Sequence, residues 1–176
     1  MASIEEEMQA IISTLNLRSH PAGGHFTETF RSTRRVQPVT KENEPQRFMH
    51  TGSRSAGTAV YYLLTKDKHV TWHMHKSDEV FIWLRGYPAH VHLLTQDGEL
   101  STCILGDPLA TPGAQYHVVV PHCTWYAVEM IDPSKFALYS AVVTPGFEFE
   151  DWIEGEQGKL LELFPQHKDI IKKLTN

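Results

Sequence analysis

Several features that mark other protein classes are missing from this sequence of 176 residues. It has two cysteines, Cys103 and Cys123, which are too few for a disulfide framework, so we expect two reduced thiols. The net charge is -5 and basic residues occur at most in pairs, which argues against nucleic-acid binding. No apolar run approaches the roughly 20 residues of a membrane span, and the acidic N-terminus is atypical of a signal peptide. We therefore expect a soluble, cytoplasmic protein with no nucleic-acid or membrane partner.

Histidine, in contrast, is abundant, with 11 residues in the chain. Seven of them lie between residues 69 and 122: His69, His73, His75, His90, His92, His117 and His122. His90 and His92 alternate with apolar residues, so on a strand both would share one face. The alternatives are a polar barrel interior and a scatter of histidines over surface strands, and the pattern alone does not decide between them.

Short strands separated by turn sequences predict an all-β protein. An alternating strand near residues 25–31 comes first. The further candidates are 46–50, 57–65, 69–75, 79–85, 89–95, 99–105, 116–120, 124–130 and 136–143. Charged residues and prolines predict an exposed loop at 33–45. The length suits one domain, 1–176, with a barrel from about 25 to 150.

Helices are expected at both ends of the chain. Residues 3–16 carry an apolar stripe at helical spacing, and Ser3 with Glu6 resembles a capping box. Residues 159–174 also read as helical, with a break at Pro165.

The stretch from Trp72 to Gly86 contains the main candidates for catalytic or metal-binding side chains. His73 and His75 are two residues apart, so on a strand both imidazoles point to one face, and Glu79 shares their parity. Two imidazoles and a carboxylate can bind a divalent transition metal such as Zn, Mn, Fe, Ni or Cu. They can equally form an acid/base set in a pocket.

This spacing, His-x-His-x3-Glu-x6-Gly, resembles the first motif of the cupin superfamily. The second motif, Pro-x-Gly-x-x-His, is similar to Pro121–Tyr126, but Cys123 replaces the glycine and Tyr126 replaces the histidine. In metal-binding cupins that histidine is the fourth protein ligand. Five segments in order within about 19–152 resemble an RmlC-like family of unknown function, sometimes called cupin type five: HPAGGHFTETFRS, TAVYYLL, WHMHKSDEVF, VVPHCTWYAVE and TPGFEFEDW.

The resemblance implies a cupin double-stranded β-helix, a jelly-roll barrel, here with short N- and C-terminal helices. It also implies a homodimer and a small-molecule ligand in each barrel. We expect the apolar TAVYYLL strand to be a sheet edge that is paired or buried in the dimer. The family resemblance implies no particular reaction.

Three functions remain open at this point. In the first, an isomerase- or epimerase-type enzyme acts on a sugar-like or carbonyl substrate, with His73 or His75 as base and Tyr126 as acid. In the second, His73, His75 and Glu79 hold the metal of a mononuclear oxygenase-type enzyme. In the third, the barrel binds or senses a small ligand without turnover.

Four other residues are candidates for ligand binding. Where the family usually has a glutamine, this chain has His117, and a two-residue hairpin turn would make it a diagonal neighbour of Tyr126 and a candidate fourth metal ligand. Trp125 and Trp83 can stack on a planar or sugar ligand. Arg31 can bind an anionic group, and simple alternation places it on the strand face opposite Glu28.

Overall fold

Two six-stranded sheets dominate the structure, a computed structural model that describes residues 3–39, 45–66 and 68–175. The strands are β1 Arg18–Ser19, β2 His25–Arg31, β3 Arg35–Val36, β4 Arg54–Ser55, β5 Thr58–Leu64, β6 His69–His75, β7 Asp78–Gly86, β8 Ala89–Leu94, β9 Leu100–Leu105, β10 Ala114–Gln115, β11 His117–Val120, β12 Trp125–Met130, β13 Ala137–Thr144 and β14 Trp152–Glu154. The helices are α1 Ile4–Thr14, α2 Gln157–Leu163 and α3 Lys168–Lys173, with 3-10 turns at Gln46–Phe48, Phe149–Asp151 and Pro165–His167.

The order of strands is that of a jelly roll. The first sheet runs β1-β2-β5-β13-β7-β11 and the second runs β10-β9-β8-β12-β6-β14. The chain crosses between the sheets after β5, β6, β7, β10, β11, β12 and β13, so most strands that follow one another lie in different sheets. The predicted all-β jelly-roll barrel with terminal helices is therefore confirmed.

Side-chain alternation along the strands creates the main core between the two sheets. On β12, Tyr126, Val128 and Met130 point inward to this core. On the same strand Trp125 and Ala127 point outward into a second apolar cluster. The second sheet is thus covered on both faces, and this explains why nearly every residue of β12 is buried.

The C-terminal helices cover the outer face of the second sheet. Leu160, Phe164, Ile171 and Leu174 pack with Trp72, which is fully buried. The Trp72 indole also donates a hydrogen bond of 3.2 Å to the carbonyl of Ile170. The helical segment is interrupted at Pro165, as the sequence predicts.

The N-terminal helix α1 covers the first sheet. The side chain of Ser3 accepts a hydrogen bond from the amide of Glu6, and the Glu6 carboxylate accepts one from the amide of Ser3. This capping box is the one expected from the sequence. The helix buries Met8 against an apolar cluster that includes Leu63 and Leu138.

Three expectations about the strands need correction. The segment 46–50 forms a 3-10 turn instead of a strand. The loop expected at 33–45 contains the short strand β3, which pairs with β4, while 40–44 lie outside the described residues. The TAVYYLL strand is not a sheet edge, because as β5 it pairs with both β2 and β13.

The turn between β11 and β12 differs from the predicted hairpin. β11 pairs with β7 in the first sheet, whereas β12 pairs with β6 and β8 in the second. Cys123 adopts a φ of 57° in this crossing, a left-handed conformation that glycine adopts without steric cost. Its amide donates a 2.8 Å hydrogen bond to the carbonyl of His75. The backbone geometry explains why the similar motif has glycine here.

Candidate ligand-binding site

A cavity of about 240 Å³ lies between the two sheets. Its lining has buried polar groups, apolar and aromatic walls, and charged residues that are more exposed. The lining residues are Arg18, His20, Phe26, Glu28, Arg31, Thr58, Val60, Tyr62, Val70, His73, His75, Glu79, Phe81, Tyr126, Tyr139, Ala141, Val143, Phe147, Glu148 and Phe149. A cavity with mostly apolar walls and few polar groups is typical of small-molecule sites.

The strands bring His73, His75, Glu79 and Tyr126 together in this cavity. His73 and His75 extend from β6, and their ring centroids are 5.2 Å apart. Tyr126 is paired with His73 across β12 and β6, with ring centroids 4.1 Å apart. Glu79 reaches the same place from β7 in the facing sheet. All four are at least nine-tenths buried, so their hydrogen bonds determine their chemistry.

Glu79 accepts a hydrogen bond from the Tyr126 hydroxyl, with 2.6 Å between the hydroxyl oxygen and Oε2. The Nδ1 atom of His75 lies 3.1 Å from the same oxygen, but it is not aligned well enough to count as hydrogen-bonded. A small rotation of the ring would align the pair, and such hydrogen bonds are often poorly aligned in a site without its ligand. His75 and Tyr126 therefore share one carboxylate oxygen.

The His73 ring has a defined tautomer. Its Nδ1–H donates a 2.6 Å hydrogen bond to the carbonyl of Thr71, which leaves Nε2 as the atom with a free lone pair. Burial, followed by the nearby His75, lowers the pKa of His73 well below its usual value. His73 is therefore neutral at neutral pH, an acceptor and a weak base.

Tyr126 is shifted in the opposite direction. Burial and then the charge of Glu79 raise the pKa of the Tyr126 hydroxyl well above its ordinary value. At neutral pH the hydroxyl keeps its proton and uses it in the hydrogen bond to Glu79. This makes Tyr126 a hydrogen-bond donor that positions Glu79 and weakens its expected role as a general acid.

His20 is a cavity residue that the sequence reasoning missed. Its Nδ1 accepts a 3.1 Å hydrogen bond from the amide of Ala22, and its ring packs edge-on against Phe26 with centroids 4.8 Å apart. Burial, with a smaller effect of His75, lowers the pKa of His20 to about 4. The neutral ring thus carries its proton on Nε2. Its position at the start of the segment HPAGGHFTETFRS was the available signal.

Arg31 lines the cavity as expected, but it shares a face with Glu28. The pairing of β2 with β5 shifts register between Glu28 and Phe30, and such a bulge reverses the alternation. The Arg31 guanidinium therefore binds Glu28, at 2.9 and 2.8 Å, and also Glu148, at 2.8 Å. Hydrogen bonds and charges from these carboxylates, Glu28 foremost, raise the pKa of Arg31.

A second arginine of the cavity lining, Arg18, interacts with an aromatic ring and with no carboxylate of the described residues. The guanidinium carbon of Arg18 lies 4.9 Å from the ring centroid of Phe26. Within the described residues Arg18 forms no ion pair with a carboxylate, in contrast to Arg31. Arg18 is therefore the cation of this cavity that is free to meet an anionic group.

Three predicted ligand-binding residues lie outside the cavity lining. Trp125 points to the opposite face of its sheet and packs in the core beneath the C-terminal helices. Trp83 faces inward but packs against the apolar core. His117 is exposed on β11, in a different sheet from Tyr126, so the diagonal contact with Tyr126 was wrong. The prediction of a two-residue hairpin failed because the chain changes sheets there.

The donor atoms of His73, His75 and Glu79 do not form a compact metal-binding cluster. In the part of the chain that the structure describes, His90, His92 and Glu129 are the group whose donors all lie within 4.8 Å of one another. In the barrel, Tyr126 is hydrogen-bonded to the carboxylate that would have to ligate the ion. The barrel residues therefore fit the expected metal poorly.

Comparison with known proteins agrees with this architecture. A family model described as "Cupin superfamily (DUF985)" matches residues 9–153. The chain belongs to the cupin superfamily. The resemblance expected from the five segments is thereby confirmed, and the matched region contains the whole cavity lining. No helix in the described ranges is long and apolar enough to cross a bilayer.

This cupin is similar to proteins from several organisms. It is 30% identical over 155 residues to the uncharacterized protein YML079W of Saccharomyces cerevisiae, covering 85% of this chain and 76% of the yeast protein. A crystal structure of a Shewanella oneidensis protein matches with 27% identity and a TM-score of 0.80, covering 96% of each chain. A hypothetical protein from Leishmania major has 26% identity and a TM-score of 0.81, covering 95% of this chain and 97% of its own.

A more distant structural match is an enzyme that shares the fold. The oxalate decarboxylase of Lactobacillus farciminis has 11% identity and a TM-score of 0.53, covering 94% of this cupin and 43% of the decarboxylase. At this identity the likeness concerns the fold alone. The comparisons therefore establish the family and the fold.

Proposed function

We propose that this cupin is an acid/base enzyme of the isomerase or epimerase kind that holds a small carbonyl or sugar-like compound in its barrel. The observation that carries the proposal is the shared oxygen of Glu79, which lies 2.6 Å from the Tyr126 hydroxyl and 3.1 Å from His75 Nδ1. A carboxylate beside one ring nitrogen orients an imidazole and stabilises its protonated form. Its other nitrogen, Nε2, is then free to exchange a proton with a ligand.

The neighbouring groups suit a carbonyl substrate. A proton next to a carbonyl is removed more easily when a donor binds the oxygen that becomes negative. The neutral His20 ring carries its proton on Nε2, the nitrogen that the backbone amide of Ala22 does not use. We assign His75 as the base, His20 as the donor to the carbonyl oxygen, and Tyr126 as the residue that positions Glu79.

The size and charge of the cavity restrict the class of ligand that it can bind. A volume of about 240 Å³ is below the ~300–1,000 Å³ of sites for drug-sized compounds and equals roughly eight liquid water molecules. A compound of about monosaccharide size would fill it. Arg18 has no carboxylate partner within the described residues, so a ligand with one anionic group is favoured.

One observation favours a second function, a binding or sensing module without turnover. Burial lowers the pKa of His73 and raises that of Tyr126, so both groups resist proton transfer at neutral pH. A barrel that only holds a ligand needs such fixed donors and acceptors. The two functions differ in whether the ligand leaves chemically changed.

A panel of small hydroxy acids, keto acids and sugars in D₂O separates the two functions. We expect nuclear magnetic resonance to show deuterium entering the position next to the carbonyl of a bound compound. His75→Gln should abolish this exchange while affinity stays within about threefold, because the amide preserves size and polarity. Arg18→Gln should weaken the binding of anionic compounds, with neutral sugars as the control. Binding without exchange would support the module, and failure to bind any compound would contradict both.

We also propose that this cupin is a homodimer. Ile82, Leu84 and Val119 are apolar side chains of the first sheet with exposed fractions of 37%, 42% and 50%. Ile82 and Val119 lie on neighbouring strands, so one apolar row faces outward. This row replaces the TAVYYLL strand as the surface expected to be buried between copies. Light scattering that reports a monomer at micromolar concentration would contradict the proposal.

A further inference from the structure

We propose that the outer face of the second sheet carries a zinc site formed by His90, His92 and Glu129. One donor atom from each residue lies within 4.8 Å of the other two. The two histidines are on β8 and the glutamate is on the adjacent strand β12. This face is opposite to the one that lines the barrel, so the site is independent of the function proposed above.

The pairing of the strands brings the three donors together. His90 and His92 are two residues apart and project from the same face of β8. His90 is the direct partner of Glu129 in the antiparallel register. His92 Nε2 lies 3.2 Å from Glu129 Oε1, close to the spacing of two ligands on one zinc ion with bonds of ~2.0–2.2 Å. Small side-chain rotations of His90 would complete the set.

The surroundings resemble those of a metal-binding histidine. The Nδ1 atom of His92 lies 2.9 Å from the hydroxyl of Thr102, an interaction that orients the ring and leaves Nε2 for a ligand. On the other side of Glu129, its β6 partner His69 has a buried Nε2 without a hydrogen-bond partner among the described residues. Four polar groups thus converge here, and one of them, His69, has a buried ring nitrogen without a hydrogen bond among the described residues.

The carboxylate of Glu129 already binds a cation. Lys173 of α3 places its ammonium group 2.8 Å from Oε1 and 2.6 Å from Oε2. The Lys173 side chain is 61% exposed, so it can swing into solvent at small cost. A zinc ion would therefore compete with Lys173 for Glu129 and gain the two imidazoles, which an ammonium group cannot use.

Zinc is the ion that this donor set favours. Two imidazoles and one carboxylate are a known zinc ligand set with a fourth position left for water or another ligand. The site would connect β8 and β12 next to the helices that close the second core. Because the unfolded chain would not hold the three donors together, bound zinc should stabilise the folded protein.

Titration calorimetry of the untagged, full-length protein with Zn²⁺ alone tests the proposal. We expect one bound ion, with about 100-fold weaker binding in His90→Ala and in Glu129→Gln, since each loses one ligand. Lys173→Met should bind about three- to tenfold more tightly, because the competing ammonium group is gone. His117→Ala, which removes an exposed histidine of the other sheet, is the matched control and should bind like the wild type.

Thermal unfolding provides the second measurement. Zinc should raise the melting temperature of the wild type and of His117→Ala, and circular dichroism should show that His90→Ala is folded but not stabilised by zinc. An absence of zinc binding at neutral pH would overturn the proposal. So would binding that survives in His90→Ala but disappears in His75→Ala, because the ion would then be in the barrel.

Discussion

The second sheet carries a His-x-His pair on each of its faces, and the two pairs have different surroundings. His73 and His75 point into the barrel, where their carboxylate, Glu79, comes from the facing sheet. His90 and His92 point outward, and Glu129 comes from the neighbouring strand of the same sheet. Cross-strand neighbours are about 5 Å apart whereas facing sheets are about 10 Å apart, so the outer set is more compact.

The partner of each carboxylate differs as well. Glu79 is bound by a neutral hydroxyl from Tyr126, which is buried and holds the carboxylate in place. Glu129 is bound by the exposed ammonium group of Lys173, which can leave. The same residue types therefore favour a fixed polar pocket on one face of the sheet and an exchangeable cation on the other. A buried, fixed partner of the carboxylate therefore argues against a metal site, whereas an exposed partner leaves the carboxylate available to an ion.

The largest expected effect comes from giving the barrel the ligand that it lacks. Tyr126→His removes the donor to Glu79 and adds an imidazole at the position where the similar cupin motif has one. In a His90→Ala background, which disables the outer site, this change should raise zinc affinity about 100-fold, or about 2.7 kcal/mol. Calorimetry against His90→Ala alone is the measurement. If affinity does not change, the hydroxyl of Tyr126 is not what keeps metal out of the barrel.

A smaller effect, on the free energy of unfolding, is expected when Glu79 loses its hydrogen bond from Tyr126 or Glu129 loses its ion pair with Lys173. Tyr126→Phe leaves the buried carboxylate of Glu79 without its donor, and we expect the free energy of unfolding to fall by about 2 kcal/mol. Tyr139→Phe is the matched control, because Tyr139 lines the same cavity and makes no side-chain hydrogen bond among the described residues. This substitution should lower the free energy of unfolding by less than ~0.5 kcal/mol.

Lys173→Met makes the corresponding change on the outer face. Because Lys173 is exposed, the loss should stay below about 1 kcal/mol. Urea denaturation of the three variants gives the comparison. The distinction between a fixed and an exchangeable partner would fail if Lys173→Met cost more than Tyr126→Phe.

Low pH should decrease the free energy of unfolding, because the buried histidines of the barrel have lowered pKa values. The pKa of His20 is about 4 in the folded protein, and that of His73 is also lowered, against ~6.5 in an unfolded chain. The unfolded chain takes up these protons first, so stability is complete above about pH 6.5 and falls as the pH decreases toward 4. Between pH 6.5 and 5, we expect His20 to account for about 1–2 kcal/mol of the loss.

Denaturation curves at several pH values measure this contribution. His20→Gln should flatten the pH dependence, since it removes one of the groups that the unfolded chain protonates. His117→Gln, at an exposed position, should leave the dependence as it is in the wild type. Equal slopes in His20→Gln and the wild type would show that burial of His20 is not a source of acid sensitivity.

The sequence by itself determined the features that depend on local patterns. The reciprocal bonds of Ser3 and Glu6 begin α1 where the capping pattern indicated, and the break at Pro165 separates the C-terminal helices. The alternation of His73 and His75 on one strand placed both side chains in the cavity. Such features are readable because capping, proline geometry and side-chain parity act within a few residues.

Only the tertiary structure decided where the alternation of side chains along a strand is interrupted and which strands pair. The bulge in β2 brings Arg31 beside Glu28, and a register shift where β6 pairs with β12 lets His69 face outward while His73 faces the cavity. The crossing after β11 moved His117 away from Tyr126. Bulges and strand partners depend on contacts between residues far apart in the chain, and no local pattern contains that information.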